Sequence, residues 1–227
     1  MRFLAIVPLL LMFAGFGLSR FGVLPAMVGW GVVALGALLG MSVSITILVT
    51  RVRKGLPHFR VFAIVAALPL AVAVPIVVRD LSYPRINDVT TDVENPVAFV
   101  AALEALANSG RDMAFPEHFG PIVREAYPDI RPLVLDESPE HVYQRIGELA
   151  GLQSGWEIKN SDAEKLIVEG EVSTPFLRFV DDFVIRVSDQ DGKARVDMRS
   201  KSRDGLVDAG ANANRIRNFL AELAREF

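Results

Sequence analysis

The chain has 227 residues, room for one or two domains, and 51% of them are hydrophobic. It contains no cysteine, which excludes disulfides, thiolate metal sites and cysteine nucleophiles. Residues 1–78 hold no Asp or Glu, so the remainder carries all 27 acidic residues but only 18 of the 24 basic ones. An acidic surface of that kind argues against a nucleic-acid partner, because phosphate contacts need a basic one.

Three apolar runs open the chain, at about residues 3–19, 24–50 and 61–78. A helix needs roughly 20 apolar residues to cross about 30 Å of hydrocarbon. The second run is ample, and the other two suffice with Arg2, Arg20, Arg60 and Arg79 placed at their ends to reach the interface. Pro8, Pro69 and Pro75 are tolerated in membrane helices. The pattern predicts an anchor of three transmembrane helices over residues 1–79, followed by an extracytoplasmic domain over residues 80–227. The first run also admits a second reading, as a cleaved signal peptide, although no A-x-A-like site follows it. The loop RVRKGLPHFR, residues 51–60, holds Arg51, Arg53, Lys54 and Arg60, and the positive-inside rule makes it cytoplasmic. The N-terminus is then cytoplasmic and the C-terminal domain outside, periplasmic for an inner membrane. Gly36 and Gly40, in GxxxG spacing, let helix backbones approach closely, either in a dimer or against the other helices of the chain. No charge lies inside any span, which suits a tether rather than an ion path.

Residues 79–94 read as an extended polar linker. Asn95 followed by Pro96 is a helix start, with Phe99, Leu103 and Leu106 on one face. The stretch 113–127, rich in proline and aromatics, reads as a packed irregular loop. A short strand is expected over 131–136, then a helix capped by Ser138 with Val142, Ile146 and Leu149 inward. Four strand-like runs follow, whose inward series are Trp156 and Ile158, then Leu166, Val168, Gly170 and Val172, then Phe183, Ile185 and Val187, then Ala194, Val196 and Met198. DQDGK at 189–193 marks a hairpin. A closing helix starts near Asp208 and buries Ile216, Leu220, Leu223 and Phe227. The predicted class is α+β, in the order β-α-β4-α with an extra N-terminal helix. Its sheet is antiparallel, one face under helices. The other face, with Glu157, Lys159, Glu169, Glu171, Asp182, Arg186, Arg195, Asp197 and Arg199, is expected to be wet.

The runs FVDDFVIRV (179–187) and RVDMRSKSRDGLVDAGANANRIRNFL (195–220) resemble the family called domain of unknown function 1499. The resembling pattern is a paired Asp on a strand, then R-S-x-S-R, then D-x-G-x-N and an Arg on a helix. Here these are Asp181, Asp182, Arg199, Ser200, Ser202, Arg203, Asp208, Gly210, Asn212 and Arg215. The likeness is close over the last part and looser from about Leu81. It implies an extracytoplasmic domain and no particular activity. Many members carry a cysteine in a proline-rich segment where this chain has YPRINDVTTD (83–92), so a cysteine-based role has no counterpart here.

Arg199, Ser200, Ser202, Arg203, Asn212 and Arg215 near a helix start have the chemistry of an anion site, for a phospholipid headgroup, a phosphorylated sugar or a carboxylate. The same residues also read structurally. Asp181 or Asp182 then pairs with Arg199 or Arg203, Asp208 caps the last helix, and Gly210 serves a turn. Enzyme motifs are absent: there is no G-x-S-x-G, no glycine-rich phosphate loop, and no zinc or haem ligand spacing among His58, His118 and His141. Adjacent Asp181 and Asp182 point to opposite faces of a strand and cannot act as an acid/base pair. The expected protein is therefore a membrane-anchored envelope protein without metal or cofactor, whose outer domain binds a partner protein or an anionic lipid-like ligand. A hydrolase of unrecognised type and an accessory subunit of a membrane complex are the alternatives.

Overall fold

The computed structural model describes residues 3–54 and 59–227. Arg2 and the middle of the basic loop, His58 included, lie outside the described residues. The chain divides into two compact units, one of residues 1–82 with 174–179, the other of residues 83–173 with 180–227.

The first unit holds helices α1 (Val7–Arg20), α2 (Ala26–Lys54) and α3 (Phe59–Leu81). Two of them, over Ala26–Thr50 and Arg60–Leu81, are long and apolar enough to cross a membrane; α1, at 14 residues, is shorter. Small residues bring the helices together. A side chain on Gly36 would lie 2.9 Å from the Pro8 carbonyl of α1, and one on Gly40 would lie 2.1 Å from the Ala66 carbonyl of α3. Both glycines are thus taken up by packing inside the chain. Ser44 Oγ donates to the Ala63 carbonyl at 2.9 Å and ties α2 to α3.

The second unit is α+β with one antiparallel sheet. Its elements are β1 (Asp88–Thr90), α4 (Ala101–Glu104), α5 (Phe119–Ala126), β2 (Leu133–Leu135), α6 (Pro139–Leu152), β3 (Trp156–Asp162), β4 (Ile167–Ser173), β5 (Val180–Gln190), β6 (Lys193–Ser202) and α7 (Ala211–Leu223). Strands β3 to β6 form a meander, and β1 and β2 lie in series along the outer edge of β6, against residues 199–201 and 194–196. Thr91 fills the gap between them. Its N–H donates to the Met198 carbonyl at 2.9 Å, and its Oγ1 accepts from the Met198 N–H at 3.0 Å. The inward series of β3 to β6 packs against Val142, Ile146 and Leu149 of α6 and Ile216, Phe219 and Leu223 of α7. Ser138 caps α6 through the His141 N–H.

Several expectations need correction. Residues 79–94 are not all linker, since α3 runs to Leu81 and β1 starts at Asp88. A three-residue strand is too short to show alternation. No helix begins at Asn95. The helix is only Ala101–Glu104, followed by a 3-10 turn at Leu106–Asn108, and Leu106 is 90% exposed. Its start is set by a carboxylate from β4: Glu169 accepts the N–H groups of Val100, Ala101 and Ala102 at 2.8–3.1 Å. The stretch 113–127 contains α5, so two short helices rather than one precede β2. The last helix starts at Ala211, and Phe227 is exposed.

The face expected to be wet is largely covered. Residues 91–115 cross it, and Val97, Phe99, Ala102 and Met113 pack on Val184. Glu169, Asp182, Asp197 and Arg199 are buried beneath or beside them. A buried charge costs heavily unless paired or hydrogen-bonded; Asp182, Asp197 and Arg199 lie in ion pairs, and Glu169 accepts three backbone N–H groups.

Candidate functional site

Alternation along β6 divides the signature residues between the two faces of the sheet. Arg199, Lys201 and Arg203 fall on the face under residues 91–115, and Ser200 and Ser202 on the face under α7. They do not make one patch.

On the first face Arg199, 2% exposed, makes a two-pronged pair with Asp88, Nε to Oδ1 at 2.9 Å and Nη2 to Oδ2 at 2.7 Å. Its remaining N–H groups donate to the carbonyls of Val97 and Met113, and the Phe99 and Phe115 rings stand 4.7 and 5.5 Å from its guanidinium carbon. Lys201 also donates to Asp88, at 3.0 Å. Arg203 donates to both oxygens of Asp182 and to Glu171, and Asn108 donates to Asp182 at 3.0 Å. On the second face Arg215 pairs with Asp181 and donates to Ser200 Oγ at 2.7 Å and Asn212 Oδ1 at 2.6 Å. Asn212 donates to Ser202 Oγ at 3.0 Å. Every signature arginine therefore has its own carboxylate, and Asp181 and Asp182 serve opposite faces.

Asp208 and Gly210 build the entry to α7. Asp208 accepts the N–H of Gly210 at 3.0 Å and of Asn212 at 2.9 Å. Gly210 sits at φ 74°, and a side chain there would strike the Tyr83 ring at 2.4 Å, so only glycine fits. Burial raises the Asp208 carboxyl above its ordinary value, against the lowering effect of those two N–H groups. Close by, burial, then the charge of Asp208, push the Tyr127 phenol up to about 12; its hydroxyl is buried without a hydrogen-bond partner among the described residues.

Two clefts open on this unit. One, of about 480 Å³, lies between residues 101–107 and β3 to β5. Glu104, Glu169, Glu171 and Asp182 outnumber Lys159 and Arg203 along its walls. Burial works to raise the Glu171 pKa, but Lys159 and Arg203 outweigh it and hold the carboxylate below its ordinary range. The other cleft, of about 400 Å³, lies between the end of β1 and residues 123–132. Its charged lining is Arg124, Arg131 and Arg195 against Asp92 and Glu94, and its apolar walls are Val93, Val123, Tyr127, Pro128, Ile130 and Pro132. Arg195 is fixed by Asp92 and Asp197. Arg124 pairs with Glu94, both well exposed. Arg131 donates Nε to the Pro128 carbonyl at 2.9 Å, and among the described residues it has no carboxylate partner.

The model of the family described as Protein of unknown function (DUF1499) matches residues 88–223, more than half of the chain. The chain belongs to the DUF1499 family. The match begins at the first residue of β1 and ends at the last of α7, so the DUF1499 domain includes the short edge strand. No curated protein matches the chain. Within the DUF1499 domain the described residues hold no cluster of three or more His, Asp or Glu that could bind a metal ion. Sequence reasoning missed Arg124 and Arg131 of the second cleft. They belong to no motif, and only prolines flanking Arg131 hint that its backbone is held.

Proposed function

We propose that this DUF1499 protein is a membrane-anchored module that binds an anionic, lipid-like ligand in the cleft of Arg124, Arg131 and Arg195. The observation that carries the reading is Arg131, which has no carboxylate partner among the described residues and lies on the wall of a part-apolar cleft whose charged lining is one positive charge in excess. Arginine recognises phosphate or carboxylate through paired, charge-assisted hydrogen bonds, and the valine, isoleucine and proline walls suit an acyl chain. The first cleft has the opposite charge balance and disfavours an anion. The anchor is inferred from α2 and α3, of whose apolar windows only 28% and 22% are buried by protein, far less than for core helices. On this reading α1 is a third, shorter span, the N-terminus is cytoplasmic, and the DUF1499 domain lies in the periplasm against an inner membrane, as the basic loop implies.

The test uses the full chain in lipid nanodiscs, titrated with dihexanoyl phosphatidic acid and, for comparison, dihexanoyl phosphatidylcholine. Binding is expected for the first and not the second. Arg131→Ala should weaken it about tenfold or more, the loss of one hydrogen bond to a charged group at about 1.5–3 kcal/mol. Lys159→Ala, in the acidic cleft, should leave it unchanged. Equal affinity of wild type and Arg131→Ala would overturn the assignment.

A further inference from the structure

Residues 174–179, TPFLRF, connect β4 to β5, yet they group with the helical unit rather than with the sheet. Six residues without an acid carry two phenylalanines, a leucine and an arginine. The loop is built rather than loose. The Thr174 N–H donates to the Phe179 carbonyl at 2.8 Å, and the Phe179 N–H returns to Thr174 Oγ1 at 2.9 Å. Arg178 takes a left-handed turn at φ 59°, an unusual conformation for a residue with a side chain. The turn puts Leu177 inside and leaves Phe176 69% exposed.

Phe176 meets Phe16 of α1 edge-on, with ring centroids 6.4 Å apart. A side chain built on Gly22, just past the end of α1, would lie 3.7 Å from Arg178 Nη1. Phe21 beside it is 83% exposed, and Arg20 is exposed too. Among the described residues the Arg178 guanidinium has no carboxylate partner. One end of an apolar helix thus gathers exposed phenylalanines and two arginines from two distant stretches of chain. Phenylalanine and leucine side chains beside arginine cations suit the boundary between hydrocarbon and headgroups: the apolar side chains bury at the edge of the acyl layer, and guanidinium groups meet phosphate.

We propose that residues 174–179, together with Arg20 and Phe21, form an interfacial anchor seated in the lipid headgroup layer. The inference rests on the reading of α1 to α3 as an anchor, and the test separates the two. Because the chain has no native cysteine, single spin labels can be placed at Phe176→Cys, at Leu38→Cys on the exposed side of α2, and at Leu152→Cys on the exposed end of α6. The full chain is placed in nanodiscs containing phosphatidylglycerol. Collisions with oxygen, which concentrates in lipid, are compared with collisions with a water-soluble nickel chelate. The oxygen-to-nickel ratio should be high at residue 38, low at 152 and between the two at 176. A ratio at 176 as low as at 152, with residue 38 in lipid, overturns the interfacial anchor and spares the membrane reading. A low ratio at residue 38 overturns the membrane reading and the interfacial anchor with it. Charge reversal at Arg178→Glu should move the label at 176 toward water; an unchanged ratio would remove arginine from the proposal.

Discussion

Arg199 illustrates how an ionised side chain becomes part of a core. It donates two hydrogen bonds to Asp88 and two to carbonyls, and it lies against two aromatic rings. That set offsets the cost of removing a guanidinium from water, and it explains why deleting one member is worse than never having had the pair. Arg199→Ala leaves Asp88 with Lys201 alone and two carbonyls without a donor. The unfolding free energy should fall by about 3–5 kcal/mol, read from thermal denaturation followed by near-ultraviolet circular dichroism. Arg217 pairs with Asp129 on the surface, both partly exposed, so Arg217→Ala should cost no more than about 1 kcal/mol. Similar losses for the two variants would mean that Arg199 is not the structural residue its burial implies.

At the scale of elements, the segment 91–115 is the least regular part of the sheet domain and is held largely by side chains from the sheet. Glu169 anchors the start of α4, Arg199 grips the carbonyls of Val97 and Met113, and Asp182 holds Asn108. An amide at Glu169→Gln has one acceptor oxygen where the carboxylate has two, and no charge. Hydrogen exchange at residues 100–102 should quicken by roughly tenfold to a hundredfold, from the loss of about 1.5–3 kcal/mol of charged hydrogen bonding. Exchange in β5 and β6 should stay as it was; equal acceleration there would mean that the segment and the sheet open together. The same elements show what the sequence made legible. Strands β3 to β6, α6 and α7 announce themselves by period, because each buries one face against a large core. The strand β1 does not, being three residues long and defined only by its partner. The buried charges of the second face were unreadable for a related reason. Alternating charge looks solvated until the covering segment is known, and that segment has no periodicity of its own. Of the site, the residue list of the R-S-x-S-R signature and its alternation between two faces were legible, but the pairing of each arginine needed the positions of Asp88, Asp181 and Asp182.

For the whole molecule, the proposed anchoring implies one direction in the membrane. The inferred arrangement rests on the four cations of residues 51–60 and on the absence of acid before Asp80. A reporter that works only in the cytoplasm, fused after Phe227, should stay silent, and one that works only outside should be active. Replacing Arg51, Arg53, Lys54 and Arg60 by Gln should weaken or reverse that pattern; the opposite reporter result in the native chain would invert the topology.

The serial placement of β1 and β2 on β6 has a further consequence. Any open strand edge is a template on which another chain can pair. Here the β6 edge is occupied along most of its length by two short strands, with Thr91 plugging the interval. The opposite edge, β3, is irregular between Ile158 and Asn160 and carries Glu157 and Lys159. The sheet is thereby closed to growth by covering on one side and by distortion and charge on the other, which guards against edge-to-edge association.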